Sequence, residues 1–408
     1  MVEGPTVTRG EQMLALRKRR MAATHPFLRG GFRPFFLGAP AWGVIALALW
    51  LRELAGKAVL PTVFEGVAWH RHEMLFGFVG AAVAGFLLTA IPNWTGRLPI
   101  AGRPLLALFG LWAAARLAVL FSGVVGFWTA AILDAGFFLS LALLASREVL
   151  ASKNRNMPIV GIVFVFGLMD AADYAEAAGA ISGGIGWRGA IALVIVMISL
   201  IGGRIIPSFT RNWMVKKGLS GALPTQPQSL DLLVIAATAV AMLFWLAFPN
   251  NRLTGLVLIL AAAAQMLRLS RWRGWRTASD PLVLILHVGY AWVPIGLALL
   301  GLSVVEPSIS QSAAIHALTA GAMTTMILAV MSRASLGHTA RELKASAVTS
   351  LSYVCVTLGA LMRVGASLSS GSYGVLLDVA GALWGVALLL FLLVYAPILW
   401  RPRLGEQA

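Results

Sequence analysis

Twelve long apolar segments constrain this chain more than any other feature in it. They run approximately over residues 35–52, 74–92, 102–122, 125–146, 158–180, 188–208, 229–248, 252–270, 281–302, 311–332, 346–366 and 375–399. A helix rises about 1.5 Å per residue, so each segment predicts a helix long enough to cross a hydrocarbon layer about 30 Å thick. Only 12% of the 408 residues are charged, and the mean hydropathy is +0.83. A soluble globular chain carries roughly 25% charged residues. A soluble enzyme, a disordered chain and a secreted disulfide scaffold are therefore excluded. A membrane β-barrel is excluded too, because its strands are short and alternate in polarity. The reading is an all-α polytopic membrane protein: a basic segment 1–33, a single twelve-helix domain 34–400 and a tail 401–408.

The charges that remain set the orientation. A net charge of +16 invites a nucleic-acid partner, but in a membrane chain it marks cytoplasmic loops, and no nucleic acid is expected. With the N-terminus inside, the terminal tails and even-numbered loops hold 24 of the 32 Lys and Arg, among them Arg147, Lys153, Arg155, Lys216, Lys217, Arg271, Arg273 and Arg276. The outer side keeps Arg52, Lys57, Arg188, Arg252 and Arg363, while Arg71, Arg116 and Arg204 lie in or at spans. Both termini are expected in the cytoplasm. Arg17-Lys18-Arg19-Arg20 precedes the first span without a cleavage-like pattern, so no removed signal peptide is expected. The single cysteine, Cys355, excludes an internal disulfide, an Fe–S cluster and a cysteine zinc site.

Segments one, five and nine begin about 123 residues apart, which suggests three four-helix blocks, at about 35–146, 158–270 and 281–399. The second helix of each block carries the argument. Segment two ends Ile91-Pro92-Asn93-Trp94-Thr95-Gly96-Arg97, segment six Ile206-Pro207-Ser208-Phe209-Thr210, and segment ten Gly337-His338-Thr339-Ala340-Arg341. Counting 23 residues back from each threonine reaches His72, Trp187 and His316. His72 and His316 also share a glycine five residues on (Gly77, Gly321) and an arginine 25 residues on (Arg97, Arg341).

The six histidines are the main cofactor candidates, since imidazole is the commonest ligand of haem iron and copper. His72 and His316 fall at similar depth in the outer leaflet, on equivalent positions of two blocks, and are suited to clamping one b-type haem between helices two and ten. The alternative is a pair of capping or hydrogen-bonded histidines. Gly77 and Gly321 would leave room for a flat macrocycle. There is no CxxCH motif, so any haem is not covalently attached. His70 stands two residues from His72 and points the opposite way on a helix. His70, Arg71 and Trp69 read as a rim, with Arg71 placed to meet haem propionates, or as an interfacial cluster. His287 and His338 fall on the cytoplasmic side as a second metal-ligand set, and His25 reads as a surface residue. Arg116 and Asp134 read as a structural ion pair on helices three and four. Asp170 and Asp173, with Tyr174, are candidates for a proton path; Arg204 neutralising Asp170 is the competing reading.

Several stretches resemble the NnrS family. They include Arg33-Pro34-Phe35-Phe36, Trp69-His70-Arg71-His72-Glu73-Met74-Leu75-Phe76-Gly77-Phe78, Pro92-Asn93-Trp94-Thr95-Gly96-Arg97, Gly202-Gly203-Arg204-Ile205-Ile206-Pro207 and His287-Val288-Gly289-Tyr290-Ala291-Trp292. His316-Ala317-Leu318-Thr319 and Ser332-Arg333-Ala334-Ser335-Leu336-Gly337-His338-Thr339 belong to the same likeness. Ala340 departs from the pattern, which has glycine there. The resemblance implies a bacterial inner-membrane protein that contains haem, with copper also associated with the family, and that acts in nitric oxide metabolism or tolerance. Its matching histidines are His70, His72, His287, His316 and His338. Three four-helix blocks with histidines on helices two and ten also resemble, more weakly, the catalytic subunit of haem–copper oxidases and nitric oxide reductases. Helices six and seven carry no histidine here, so that superfamily's second metal has no equivalent ligands.

Three functions follow as expectations. The first is a nitric oxide reductase-like oxidoreductase forming nitrous oxide, with electrons from a quinol or a cytochrome. The second is a non-catalytic haem protein that binds NO, passes electrons or protects against nitrosative stress. The third is a metal or small-molecule transporter.

Overall fold

The computed structural model describes residues 8–406 apart from residues 155, 220, 226 and 370. Arg155, counted above among the cytoplasmic charges, and the two ends of the chain lie outside the described residues. After an N-terminal helix, Arg9–Ala22, the described residues form twelve helices long and apolar enough to cross a membrane, and no strand. They are α1 Phe32–Leu54, α2 Gly66–Thr95, α3 Arg103–Leu120, α4 Phe127–Ala151, α5 Met157–Ala177 and α6 Ile185–Lys216. The remainder are α7 Ser229–Ala247, α8 Arg252–Ser270, α9 Pro281–Val305, α10 Gln311–His338, α11 Ala347–Leu368 and α12 Tyr373–Trp400.

Local chemistry sets the helix ends. Proline occupies the first turn of α3, α5 and α9, where its missing N–H costs nothing. Asp280 accepts from the backbone N–H groups of Leu282 and Val283, and Ser346 from that of Thr349. Gly96 closes α2 in the left-handed conformation at φ 66°. Ala340 sits at φ 57° just past α10, a conformation that a Cβ disfavours. The conformation explains why glycine fits this position best.

Consecutive helices pack side by side, and α12 returns against α1, closing a ring. α2, α6, α9 and α10 are the most buried of the twelve. Phe36 of α1 joins residues of α2, α6 and α10 around a narrow apolar cavity of about 80 Å³. Small residues permit the closest approaches. A Cβ on Gly255 of α8 would lie 2.8 Å from the carbonyl oxygen of Gly301 on α9, so the two backbones touch.

Two features recur on the most buried helices. The hydroxyls of Thr95, Thr210 and Thr339 each donate to the carbonyl four residues back, at 2.8, 2.8 and 2.6 Å. In α2 and α10 the helix widens into a π segment, Glu73–Val79 and Ala317–Met323, beginning directly after His72 and after His316. α6 continues as an unbroken α-helix. A π turn is rare, inserts one residue and accompanies functional sites.

Helix two begins at Gly66 rather than near residue 74, and the difference has a cause. The polar run Trp69-His70-Arg71-His72-Glu73 ends the hydropathy signal early, yet it is helical, and Arg71, His72 and Glu73 each reach an oppositely charged side chain inside the protein.

Candidate functional site

His70 and His72 sit on one helical turn and face apart, as their spacing predicts. They face two different environments at the end of the bundle that carries the odd-numbered loops.

His72 is fully buried and surrounded by acids. Its Nδ1 lies 2.9 Å from Asp173 Oδ2, and its Nε2 lies 2.9 Å from Asp134 Oδ2 and 3.7 Å from Asp170 Oδ1. Asp170, Asp173 and Tyr174 share a face of α5 through i, i+3, i+4 spacing. Gly186 lets α6 approach them, since a Cβ there would lie 2.4 Å from the Asp173 backbone nitrogen. Arg116 of α3 pairs with Asp134 and, at 2.9 Å, with Glu73. The ion pair expected of Arg116 and Asp134 is present. Arg204 is exposed and is no partner of Asp170.

His316 has a different setting. It lines a cavity of about 580 Å³ between α1, α2, α6, α10, α11 and α12, and the histidine it shares that cavity with is His70. Its Nδ1–H donates to the Ser312 carbonyl oxygen at 2.8 Å, which leaves the Nε2 lone pair free. The His70 ring stacks on Trp50 at 5.0 Å, and its Nδ1 is buried without a partner. Two cations reach the cavity. Arg71 lies over the Trp187 ring at 5.2 Å and 3.3 Å from Asp173 Oδ1; Arg363 donates to Ser312 Oγ at 3.2 Å. Trp384 and Phe78 supply apolar wall.

The sequence pairs His72 with His316; the geometry pairs His70 with His316. The reason lies in helical phase: two residues apart on one helix, His70 and His72 face about 200° apart, and His70 is on the face of α2 that lines the cavity with His316. The glycines are also reassigned. A Cβ on Gly77 would meet Glu73 Oε2 at 2.5 Å, and one on Gly321 would meet Trp292 at 2.6 Å. Both glycines admit protein side chains.

The expected second set is dispersed. His287 is buried in α9 with Nε2 2.8 Å from the Thr210 hydroxyl. His338 lies 5.4 Å from the Phe32 ring and lines a basic cavity of about 470 Å³ at the opposite end, with Arg29, Arg33, Arg97 and Arg403; His287 does not line it. His25 is exposed, as expected.

Sequence reasoning missed Glu73 as a member of the His72 cluster, although it stands four residues before Gly77 on the same helical face. It also missed Ser312, one helical turn before His316, whose carbonyl sets the tautomer. Among the described residues, the group of His, Cys, Asp and Glu donors close enough to share one ion is His72, Asp134 and Asp170.

A comparison with curated proteins finds no match to this chain. The family model described as NnrS protein matches residues 26–403, which takes in all twelve helices and both histidine environments, and the chain belongs to the NnrS family.

Proposed function

We propose that this is a haem-binding inner-membrane protein of bacterial nitric oxide metabolism, with one b-type haem held between α2 and α10. The observation that carries the reading is the cavity of about 580 Å³ lined by two histidines, one with an unpartnered buried nitrogen and the other with a fixed tautomer. Ligand cavities run about 300–1,000 Å³. His70 and His316 are the ligands, and Arg71 and Arg363 are the cations for the propionates. Haem iron, when bound, supplies a one-electron centre that also binds NO.

The residues around it do the rest. The Ser312 carbonyl orients His316, and the tryptophans keep water from the cavity. Arg71 reaches Asp173 from the cavity, and Asp170 stands one turn away on the same face of α5; in this reading the two acids supply protons. In this reading the protein reduces NO to nitrous oxide. Two NO, two electrons and two protons give one N2O and one water, with a quinol or a cytochrome as donor. A second reading, electron transfer or NO binding without turnover, is favoured by one observation: two histidines line the one cavity, and if both held the iron no position would be left for turnover. Copper fits less well, because the His72 group is rich in carboxylates and Cu(I) prefers thiolates and thioethers. We read the ring as three four-helix blocks, with both termini cytoplasmic.

The test is a reduced-minus-oxidised spectrum with haem extraction on the purified protein, followed by NO consumption with a reductant. A b-type spectrum lost in His70→Ala and in His316→Ala supports the site. Haem-free protein from haem-replete cells overturns it and favours a transporter. Haem without NO turnover selects the second reading. A reporter at the C-terminus that is active only in the periplasm overturns the orientation.

A further inference from the structure

The haem reading uses Asp170 and Asp173 only as a proton source and gives His72, Glu73 and Asp134 no role. Glu73, Asp134, Asp170 and Asp173 bring four carboxylates together, all buried. The arginines that pair with them are two, Arg116 and Arg71. With His72 neutral and all four carboxylates ionised, the cluster would carry two uncompensated negative charges inside a membrane-spanning bundle. Asp170 is the sharpest case: it is fully buried, and neither of its carboxylate oxygens has a hydrogen-bond partner.

Another buried ionic cluster in the same protein shows what a purely structural one looks like. Arg268 pairs with Asp231 at 2.7 Å and bonds Ser199 and Tyr290, and Tyr290 donates to Gln265 at 2.6 Å. No polar side-chain atom of those five residues is left buried without a partner. The His72 cluster leaves Asp170 Oδ1, Asp170 Oδ2, Glu73 Oε1 and Arg116 Nε in that condition. Buried polar groups left this way are costly, and the two Asp170 oxygens, as lone-pair donors, are the ones an ion would satisfy.

We propose that His72 Nε2, Asp134 and Asp170 hold a non-haem divalent metal ion. The three donors lie within 4.8 Å of one another, with His72 Nε2 at 2.9 Å from Asp134 Oδ2 and 3.7 Å from Asp170 Oδ1. Ligands at 2.0–2.2 Å from one ion stand roughly 3–3.5 Å apart, so little movement is needed. The surroundings are those of a metal site. Asp173 meets the far nitrogen of His72 and fixes its tautomer, the carboxylate–histidine–metal arrangement. Arg116 holds Asp134 and Glu73 in place. Phe64 covers the His72 ring at 5.2 Å, with Phe127 and Tyr174 beside it. One imidazole with carboxylates selects a hard or borderline first-row ion such as Mn(II), Fe(II) or Zn(II). An ion of charge two also cancels the charge deficit.

The test is elemental analysis of the purified holoprotein, with haem iron subtracted, and then reconstitution of chelated protein with Co(II) while its visible d–d absorption is followed. We expect about one non-haem ion per chain and a Co(II) band that requires His72. Asp170→Asn is isosteric and should remove the ion, while Asp173→Asn should weaken Co(II) binding by about 10–100-fold. If His72→Gln fails to fold, Asp170→Asn with an intact helical spectrum decides the matter. Wild-type protein without a stoichiometric ion and without a Co(II) band overturns the proposal, because the cluster is then balanced by protons alone. Retention of both signals in Asp170→Asn overturns it equally. Haem content, read from the same samples, keeps this outcome separate from that of the haem site.

Discussion

His72 and His316 occupy the same place in two helices, each directly before a π segment, yet their surroundings are opposite. The His72 pocket is filled by protein, with carboxylates on both ring nitrogens and an arginine behind them. The pocket of His316 is open, walled by tryptophans and supplied with two arginines but no acid ligand. The difference teaches that one backbone device serves two chemistries. The residue types on α3, α4 and α5 around His72, and on α1, α11 and α12 around His316, make the two surroundings differ.

The contrast can be broken most sharply at the open pocket. His316→Ala should abolish the b-type haem absorbance while the thermal unfolding temperature moves little, because the imidazole faces a cavity. Ala320→Phe, which fills the cavity and spares both histidines, should lower haem content as well. At the filled pocket the expected result is the reverse. Arg116→Met strands two buried carboxylates and should cost about 3–5 kcal/mol, read as loss of folded protein in detergent. Gly77→Ala drives a Cβ into Glu73 and Trp42 and should cost about 1–3 kcal/mol in the same assay. Ala340→Gly relieves the left-handed backbone and should raise stability by about 1 kcal/mol without altering any spectrum. Thr210→Val should cost about 0.5–1.5 kcal/mol by leaving His287 Nε2 unpaired, again with haem unchanged. A haem spectrum that shifts in Thr210→Val would show that His287 belongs with the open pocket.

How much of this was legible in the sequence depends on what each part of the argument requires. Span number is a matter of hydropathy, and the twelve segments match the twelve helices, with the largest differences at the start of helix two and at the ends of helices six and ten, where polar residues continue the helix. Depth is also countable: His72, His316, Arg116 and Asp134 do share one end of the bundle. Rotation about the helix axis is not countable from one strand of text. The choice between His70 and His72 turns on about 200° of helical phase, and equivalence by repeat pointed to the wrong one for the cavity. The π segments have no sequence signature, so the phase change below each histidine was invisible. Asp170 and Asp173 were recognised as costly, but their gathering around His72 needs helix four, helix five and helix two in one place. The substitution at Ala340 was visible as a departure, and only the backbone angle gives it an energy.

Three consecutive residues divide the labour of α2: His70 to the open cavity, His72 to the acids, and Arg71 between them with one contact on each side. The guanidinium therefore belongs to both pockets at once. Any anion that enters the cavity competes with Asp173 for it, and any cation that enters the acid cluster releases it. Thermodynamic reciprocity then makes the two occupancies report on each other by the same factor in either direction. If both pockets fill, Arg71 is where their occupancies meet, through its contacts with Asp173 and Trp187.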